Sequence, residues 1–261
     1  MLCYENVSIA YGSGAPALMN FSLEVTRGEI VALVGESGSG KTTAIRAAMG
    51  LLSGGGQVVE GDILFEGRSL LSLSLDEWRA LRGGPISMIF QDSGSMLNPI
   101  RTIGSQFVEY ILAHVSKPKK EAWEQGRTML ERMGLPHSQT IMKSYPFKLS
   151  GGMRQRVGIA MAMVFQPRVL LADEPTSALD VTTQSQIVRQ MMTLRDDYGT
   201  TIVLVTHNLG MAAYMADRIL VMTQGRVVDA GDQERILKHP GTAYTSELLE
   251  AVPAMKGRRY V

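Results

Sequence analysis

The sequence predicts an α/β fold in which a mostly parallel sheet carries helices on both faces, joined by an antiparallel β subdomain and an inserted helical subdomain. Three observations carry that reading. Short apolar runs at Glu29 to Val34, Ile86 to Phe90, Val169 to Ala172 and Thr201 to Thr206 have the length and composition of buried strands. Segments of helical composition, such as Thr42 to Leu52 and Thr183 to Asp197, alternate with them. Each run is followed by a residue with chemistry to offer: Gly35, Gln91, Asp173 and His207. Ligands of open α/β sheets sit at the carboxyl ends of strands, so these four ends are expected to converge on one site.

The remaining elements follow in order. Residues 2–10 and 20–26 alternate apolar and polar and read as antiparallel strands. Gly54-Gly55-Gly56 is expected to end the first helix, and residues 57–67 return to strand-like alternation around a turn at Gly61-Asp62. From about Ser93 the character changes. Residues 104–134 and 151–165 are helical in composition, punctuated by Pro99, Pro118, Pro136 and Pro146. Ile219 to Met222 and Arg226 to Ala230 read as a closing hairpin around Gly225, and 232–261 as a partly helical, peripheral tail.

Composition sets the limits. The chain has 261 residues, 45% of them hydrophobic, enough for a large core and a subdomain. Its 26 basic and 25 acidic side chains leave a formal charge of +1, which argues against nucleic acid as the main partner. The single cysteine, Cys3, excludes an internal disulfide and a cysteine-based metal centre, and fits a reducing cytosol. The N-terminus has neither the basic nor the apolar region of a signal peptide. The longest apolar stretches, such as Val157 to Phe165, fall short of the ~20 residues that span a bilayer. Membrane association is therefore expected through a partner. The 17 methionines sit at helical spacings among Ala, Leu and Val, and read as core filling.

The motif Gly35-Glu36-Ser37-Gly38-Ser39-Gly40-Lys41-Thr42 follows a strand and opens a helix, the context in which G-x-x-x-x-G-K-[ST] cradles phosphates. Its glycines let backbone N–H groups turn inward. Lys41 supplies a point charge to the β and γ phosphates, and the Thr42 hydroxyl takes a place on Mg²⁺. Asp173 and Glu174 end an apolar strand before Pro175. Asp173 suits holding Mg²⁺, and Glu174 suits orienting or deprotonating a water. His207 alone would read as structural, as His114, His137 and His239 do; at a strand end beside these motifs it suits a hydrogen bond to the γ-phosphate. Gln91 suits touching Mg²⁺ or the water. Tyr11, in a Gly-rich turn upstream, is an aromatic that suits stacking on adenine. A second Gly-rich turn, Leu149-Ser150-Gly151-Gly152-Met153-Arg154-Gln155, opens another helix, and a helix start with a bare backbone is an anion site. Two phosphate-reading elements in one chain suggest that one reads a nucleotide held by another subunit.

These motifs resemble the nucleotide-binding subunits of ATP-binding cassette (ABC) transporters over nearly the whole chain. The resemblance covers the Walker A loop 35–42, the Q-loop at Gln91, the signature 149–155, the Walker B strand with Asp173 and Glu174, the D-loop Ser177-Ala178-Leu179-Asp180 and the switch His207. It implies a single nucleotide-binding domain over 1–261. Residues 1–92 and 167–231 would form a P-loop NTPase core with a β subdomain, 93–166 the helical subdomain, and 232–261 the tail. It implies ATP and Mg²⁺ as cofactors. Catalytic residues would be Glu174, His207 and Gln91; Mg²⁺ ligands Thr42, Gln91 and Asp173; and nucleotide contacts Gly35 to Thr43, Tyr11 and Asp180. Ser150, Gly151 and Gly152 would cover the γ-phosphate held by a head-to-tail partner.

The partners implied are a second ABC ATPase subunit, identical or different, two membrane permease subunits and an extracytoplasmic substrate-binding protein. The location implied is the cytoplasmic face of the inner membrane. Ser144-Tyr145-Pro146, Phe90-Gln91-Asp92, Leu97-Asn98-Pro99, Met153 in the signature, and His239-Pro240 with Leu248 to Pro253 resemble the subgroup importing oligopeptides, dipeptides, nickel and metal–chelator complexes. The chain lacks the cysteine-bearing C-terminal extension of many peptide members. This short form tilts the expected cargo toward nickel or a metal chelate, with dipeptide or oligopeptide as the alternative. A soluble ABC ATPase outside transport is a further reading.

Overall fold

The computed structural model describes residues 1–12, 14–177, 179–251, 254–255 and 258–259. Ala178 of the D-loop, Val252 and Pro253 of the tail pattern, and the final Val261 lie outside the described residues. The first elements in chain order are β1 (Leu2–Tyr11), β2 (Leu18–Val25), β3 (Ile30–Val34), α1 (Lys41–Ala47), β4 (Gly56–Phe65), β5 (Arg68–Ser69) and α2 (Leu75–Leu81). Next come β6 (Ile86–Ile89), α3 (Ile103–His114), α4 (Lys119–Arg132), α5 (Ser138–Lys143), α6 (Gly151–Met163), β7 (Val169–Asp173) and α7 (Val181–Tyr198). The chain continues through β8 (Thr201–Thr206), α8 (Leu209–Met215), β9 (Arg218–Thr223), β10 (Arg226–Asp232), α9 (Gln233–Lys238) and α10 (Ala243–Glu250). It closes with the short pair β11 (Ala254–Met255) and β12 (Arg258–Arg259). These elements divide into two compact units, Met1–Trp78 with Thr201–Val261, and Arg79–Thr200.

The first unit contains an antiparallel sheet in the order β2-β1-β4-β5 and a run of core strands in the order β10-β9-β3-β8. Along β2 every second residue from Phe21 to Val25 is buried, whereas β1 buries Leu2 and Tyr4 and then breaks step, with Val7, Ser8 and Ile9 all buried. Tyr4 is fixed inside at two points. Its ring meets Phe21 edge-on at 5.1 Å, and its hydroxyl donates to the Ala44 carbonyl of α1 at 3.0 Å. Burial pushes the Tyr4 phenol above its ordinary pKa. In the core run, β9, β3 and β8 are parallel, whereas β10 returns antiparallel to β9 through the Gly225 hairpin anticipated from the sequence. All five residues of β3 and all six of β8 are buried, as two-sided strands require.

The second unit holds the parallel pair β6 and β7 with helices α3 to α7. Helices α3 and α4 approach closely where Gly126 lies against Phe107: a Cβ at 126 would come within 2.9 Å of that fully buried ring. The α/β class read from the sequence is thus present, with parallel strands, an antiparallel sheet and helices. Among the described residues, no helix is long and apolar enough to cross a membrane.

Several local expectations need correction. The first helix stops at Ala47, not at the glycine triplet, because Gly50 takes a left-handed conformation and Leu51 N–H closes on the Arg46 carbonyl at 2.9 Å. Gly61 is not a turn. It lies inside β4 at φ +81°, in the irregularity opposite Glu5 to Ser8, where a Cβ would stand 2.2 Å from the Glu5 carbonyl. The strand bulges there and runs on to Phe65, and the reversal comes at Glu66-Gly67. Residues 104–134 form two helices, since Val115 is extended ahead of Pro118, which precedes α4. Helices α2, α5 and α8 were not anticipated. For α2 the signal is a capping box: Ser74 N–H donates to Glu77 at 2.8 Å, and Glu77 N–H donates back to the Ser74 hydroxyl at 3.4 Å. For α8 it is Asn208, whose side chain accepts from Met211 N–H at 3.0 Å.

Candidate nucleotide site

The first unit carries the phosphate loop and His207. Parallel register sets Val34 opposite Thr206, so the residues that follow, Gly35 and His207, leave neighbouring strands at the same end. Val34 is also opposite Val221 on β9. The loop is pressed against the end of β9: a Cβ at Gly35 would stand 2.0 Å from the Met222 carbonyl, so only glycine fits. Thr223 donates its hydroxyl to Glu36 Oε1 at 3.1 Å, and Gly225 N–H donates to the Ser39 carbonyl at 3.2 Å. The loop is thus buttressed by the β9–β10 hairpin.

Inside it, the buried Lys41 ammonium donates to the Gly35 carbonyl at 2.8 Å, the Glu36 carbonyl at 2.5 Å and Ser39 Oγ at 3.1 Å. A charge at only 5% exposure persists because three acceptors meet it. Thr42 and Thr43 open α1 and are half-buried. Glu36, Ser37 and Gly38 are exposed at the tip. Tyr11 is the last residue of β1 and not part of a turn. It is paired with Gly56 on β4, and its ring lies over that glycine, where an added Cβ would meet it at 2.5 Å.

The second unit carries Gln91, Asp173, Glu174 and the signature turn. Ile89 is opposite Ala172, so Gln91 and Glu174 emerge from adjacent strand ends, and Gln91 Nε2 donates to Glu174 Oε2 at 3.3 Å. Asp173 is 1% exposed, whereas Glu174 is half-buried and adopts φ +44°, an αL conformation that turns the chain sharply after the strand. The two adjacent carboxylates therefore sit in different surroundings.

The turn 149–152 starts α6 with Ser150 as its cap, accepting from Met153 N–H at 3.3 Å. Its two glycines differ. A Cβ at Gly152 would come within 2.6 Å of Thr183 Cγ2, so packing inside the chain explains that glycine. Among the described residues, a Cβ at Gly151 would meet nothing nearer than Leu179 Cδ2 at 4.0 Å. Asp180 caps α7, accepting from Thr183 N–H at 3.0 Å and Thr183 Oγ1 at 2.7 Å, and these bonds hold its carboxyl below the usual range.

One residue of the signature carries more than the sequence disclosed. Gln155 is 4% exposed, and its amide is used three times: Oε1 accepts from Ser93 Oγ at 3.1 Å and Gly94 N–H at 3.3 Å, while Nε2 donates to the Pro175 carbonyl at 2.6 Å. It ties helix α6 to the segment after Gln91 and to the residue after Glu174. A buried amide at a helix position was the available signal, but its partners are 20 and 62 residues away.

A phosphate loop between a buried parallel strand and a helix, with an acidic pair ending another, defines a P-loop nucleotide-binding domain. Residues 18–177 match the family model described as ABC transporter. The chain is 42% identical over 243 residues to the oligopeptide transport ATP-binding protein AppD of Bacillus subtilis, covering 93% of this chain and 74% of that protein. It is 43% identical over 272 residues to the glutathione import ATP-binding protein GsiA of Escherichia coli; the match takes in 100% of this chain but only 44% of that one. Among solved structures, the dimeric post-hydrolysis state of the ATP-binding cassette MJ0796 bound to ADP and Pi superposes with a TM-score of 0.79 at 29% identity. The match covers 89% of this chain and 99% of that one. The chain belongs to the ABC transporter family, and it binds ATP and hydrolyses it in the service of transport.

Proposed function

We propose that the chain is the ATPase subunit of an importer, working through separate membrane permease subunits and fed by an extracytoplasmic binding protein, with a peptide as cargo. The single observation that carries the cargo is the similarity to AppD, named for oligopeptide transport, over 93% of this chain. GsiA, named for glutathione import, is a relative with a small-peptide cargo in its name. These favour the peptide alternative over the nickel or metal-chelate cargo that the short C-terminal form suggested.

The residues take the following parts. Backbone N–H groups of the 35–43 loop other than that of Glu36, which donates to the Tyr244 hydroxyl, receive the phosphates, and Lys41 exchanges its loop carbonyls for β- and γ-phosphate oxygens. Tyr11 stacks on the adenine and His207 hydrogen-bonds the γ-phosphate. Glu174 orients and deprotonates the attacking water, held in aim by the Gln91 amide. As cation ligands Thr42, Gln91 and Asp173 would offer a hydroxyl, an amide carbonyl and a carboxylate oxygen, and no cluster of three His, Cys, Asp or Glu occurs among the described residues. That donor set fits Mg²⁺, which takes one or two protein oxygens with phosphates and waters. When bound, the ion neutralises charge building on the phosphates. Ser150 and Gly151, with Gly152 and Asp180, face the nucleotide of a second ATPase subunit, identical or different; the lack of any packing reason for Gly151 among the described residues supports this. The domain boundaries proposed with this reading are a helical subdomain over 93–166 and a tail from 232, in a protein peripheral to the cytoplasmic face of the membrane.

The test is co-purification with the membrane subunits, then ATPase measurement in vesicles with the binding protein loaded with dipeptide, oligopeptide, glutathione, nickel or a metal chelate. Stimulation by peptide is expected. Stimulation by nickel or the chelate alone would return the cargo to the metal class, and stimulation by nucleic acid would remove the importer reading.

A further inference from the structure

The tail reaches the phosphate loop. The Glu36 backbone N–H donates to the Tyr244 hydroxyl at 3.0 Å, across 208 residues of sequence and within the first unit. Tyr244 is the second residue of α10, and the helix that presents it is firmly anchored. Its neighbour Thr245 is fully buried and donates its hydroxyl to Asp229 Oδ2 at 2.9 Å. Gly241 N–H donates to the same oxygen at 2.7 Å, and Arg235 pairs with Asp229 Oδ1. Thr242 caps α10, accepting from Thr245 N–H at 3.1 Å. Asp229 belongs to β10, opposite Val221 of β9, the strand whose end supports Glu36 through Thr223. Glu36 is therefore held twice: by its side chain from the β9 end, and by its backbone from the tail.

We infer that Tyr244 is a positioning residue of the ATP site, and that the tail sets the conformation of the phosphate loop through it. The inference rests on the reading of 35–42 as the phosphate loop. Glu36 is exposed, and its carbonyl is one of the three acceptors of Lys41. The peptide units on either side of Glu36 thus hold opposite partners, the phenol on the N–H and the lysine on the C=O. When Lys41 turns to phosphate, the phenol still fixes the near end of the loop, so the loop is ordered before the nucleotide arrives. Preorganisation of this kind appears as affinity and not as chemistry, because the ordering cost is met in the free protein. A phenol oxygen accepting one N–H contributes at the scale of a single hydrogen bond, roughly a three- to tenfold change in binding.

The experiment uses the full chain in its assembled transporter and compares wild type, Tyr244→Phe and Lys41→Ala. ATP and ADP affinities are measured by calorimetry, KM and kcat for ATP by phosphate release, and the melting temperature by calorimetric scan. For Tyr244→Phe, roughly three- to tenfold weaker binding of both nucleotides is expected, with KM raised in step, kcat within twofold of wild type and an unchanged melting temperature. Unchanged affinity and KM overturn the inference, as does a lowered melting temperature with affinity intact, which would make Tyr244 a structural prop. A fall in kcat alone also overturns it. Lys41→Ala separates the two layers: if it still binds ATP normally, the phosphate-loop reading has failed; if it loses ATP while Tyr244→Phe matches wild type, only the inference about the tail has failed.

Discussion

Gln91 and Glu174 are joined side chain to side chain, the amide Nε2 donating to the carboxylate at 3.3 Å from the end of an adjacent strand. A residue aimed at a water need not be charged to stay in place, provided that its partner donates to either form. Glu174→Gln is therefore expected to keep ATP affinity and melting temperature while lowering turnover by about 10²-fold or more, the scale of a lost general base. Gln91→Ala should leave the carboxylate in place but unguided, and cost less. Single-turnover phosphate release checks both, and full turnover by Glu174→Gln would remove Glu174 from its role.

The two signature glycines should separate cleanly. Gly151→Asp is expected to preserve the melting temperature and ATP binding yet abolish ATPase activity, since position 151 has room among the described residues. Gly152→Val forces a branched side chain onto Thr183 and should lower stability by about 1–3 kcal/mol, seen in the thermal melt as well as in activity. Equal melting temperatures for the two variants would refute the distinction.

Gln155 should prove costly to replace. Gln155→Leu keeps the bulk but leaves the Gly94 N–H and the Pro175 carbonyl without their partner, a loss of about 1–3 kcal/mol for each buried group left unsatisfied. Denaturant unfolding should report the loss, with Gln155→Glu worse than Gln155→Leu at neutral pH, because the carboxylate also sets a buried negative charge against the Pro175 carbonyl oxygen.

Asp229 gives the tail an acid limit. Burial pushes its carboxyl up, but Gly241 N–H, the Thr245 hydroxyl and Arg235 outweigh that and hold it below its ordinary value. A depressed carboxylate contributes stability that is complete above the unfolded pKa, near ~4, and is lost as pH falls through the lower folded value. Wild type should thus lose stability below about pH 4, while Asp229→Asn should be less stable at neutral pH and show a shallower decline. Parallel acid titrations of the two would reveal a wrong sign.

What the sequence made legible was local. The phosphate loop, the acidic pair and the closing hairpin each lie within a dozen residues, and their strand and helix context could be read alongside them. Gly61 misled because glycine in a strand marks a bulge as readily as a turn, and only the partner strand decides. Helix α2 does carry a local signature, the capping box of Ser74 and Glu77. Tyr244 on Glu36 and Gln155 on Ser93 had no such signature: each contact exists only once distant segments have packed. The cargo was out of reach for a different reason: in the proposed assembly no residue of this chain touches it.

Thr183 links two turns that the family resemblance treats as separate motifs. Its N–H and hydroxyl hold Asp180, and its methyl stands against Gly152. One small side chain is thus pinned on both sides, so the start of α7 cannot shift without dragging the start of α6. The two surfaces proposed to face a second subunit would then move as a single jaw. On that proposal a partner that engages either one engages both, and a lesion at position 183 would loosen the whole bite.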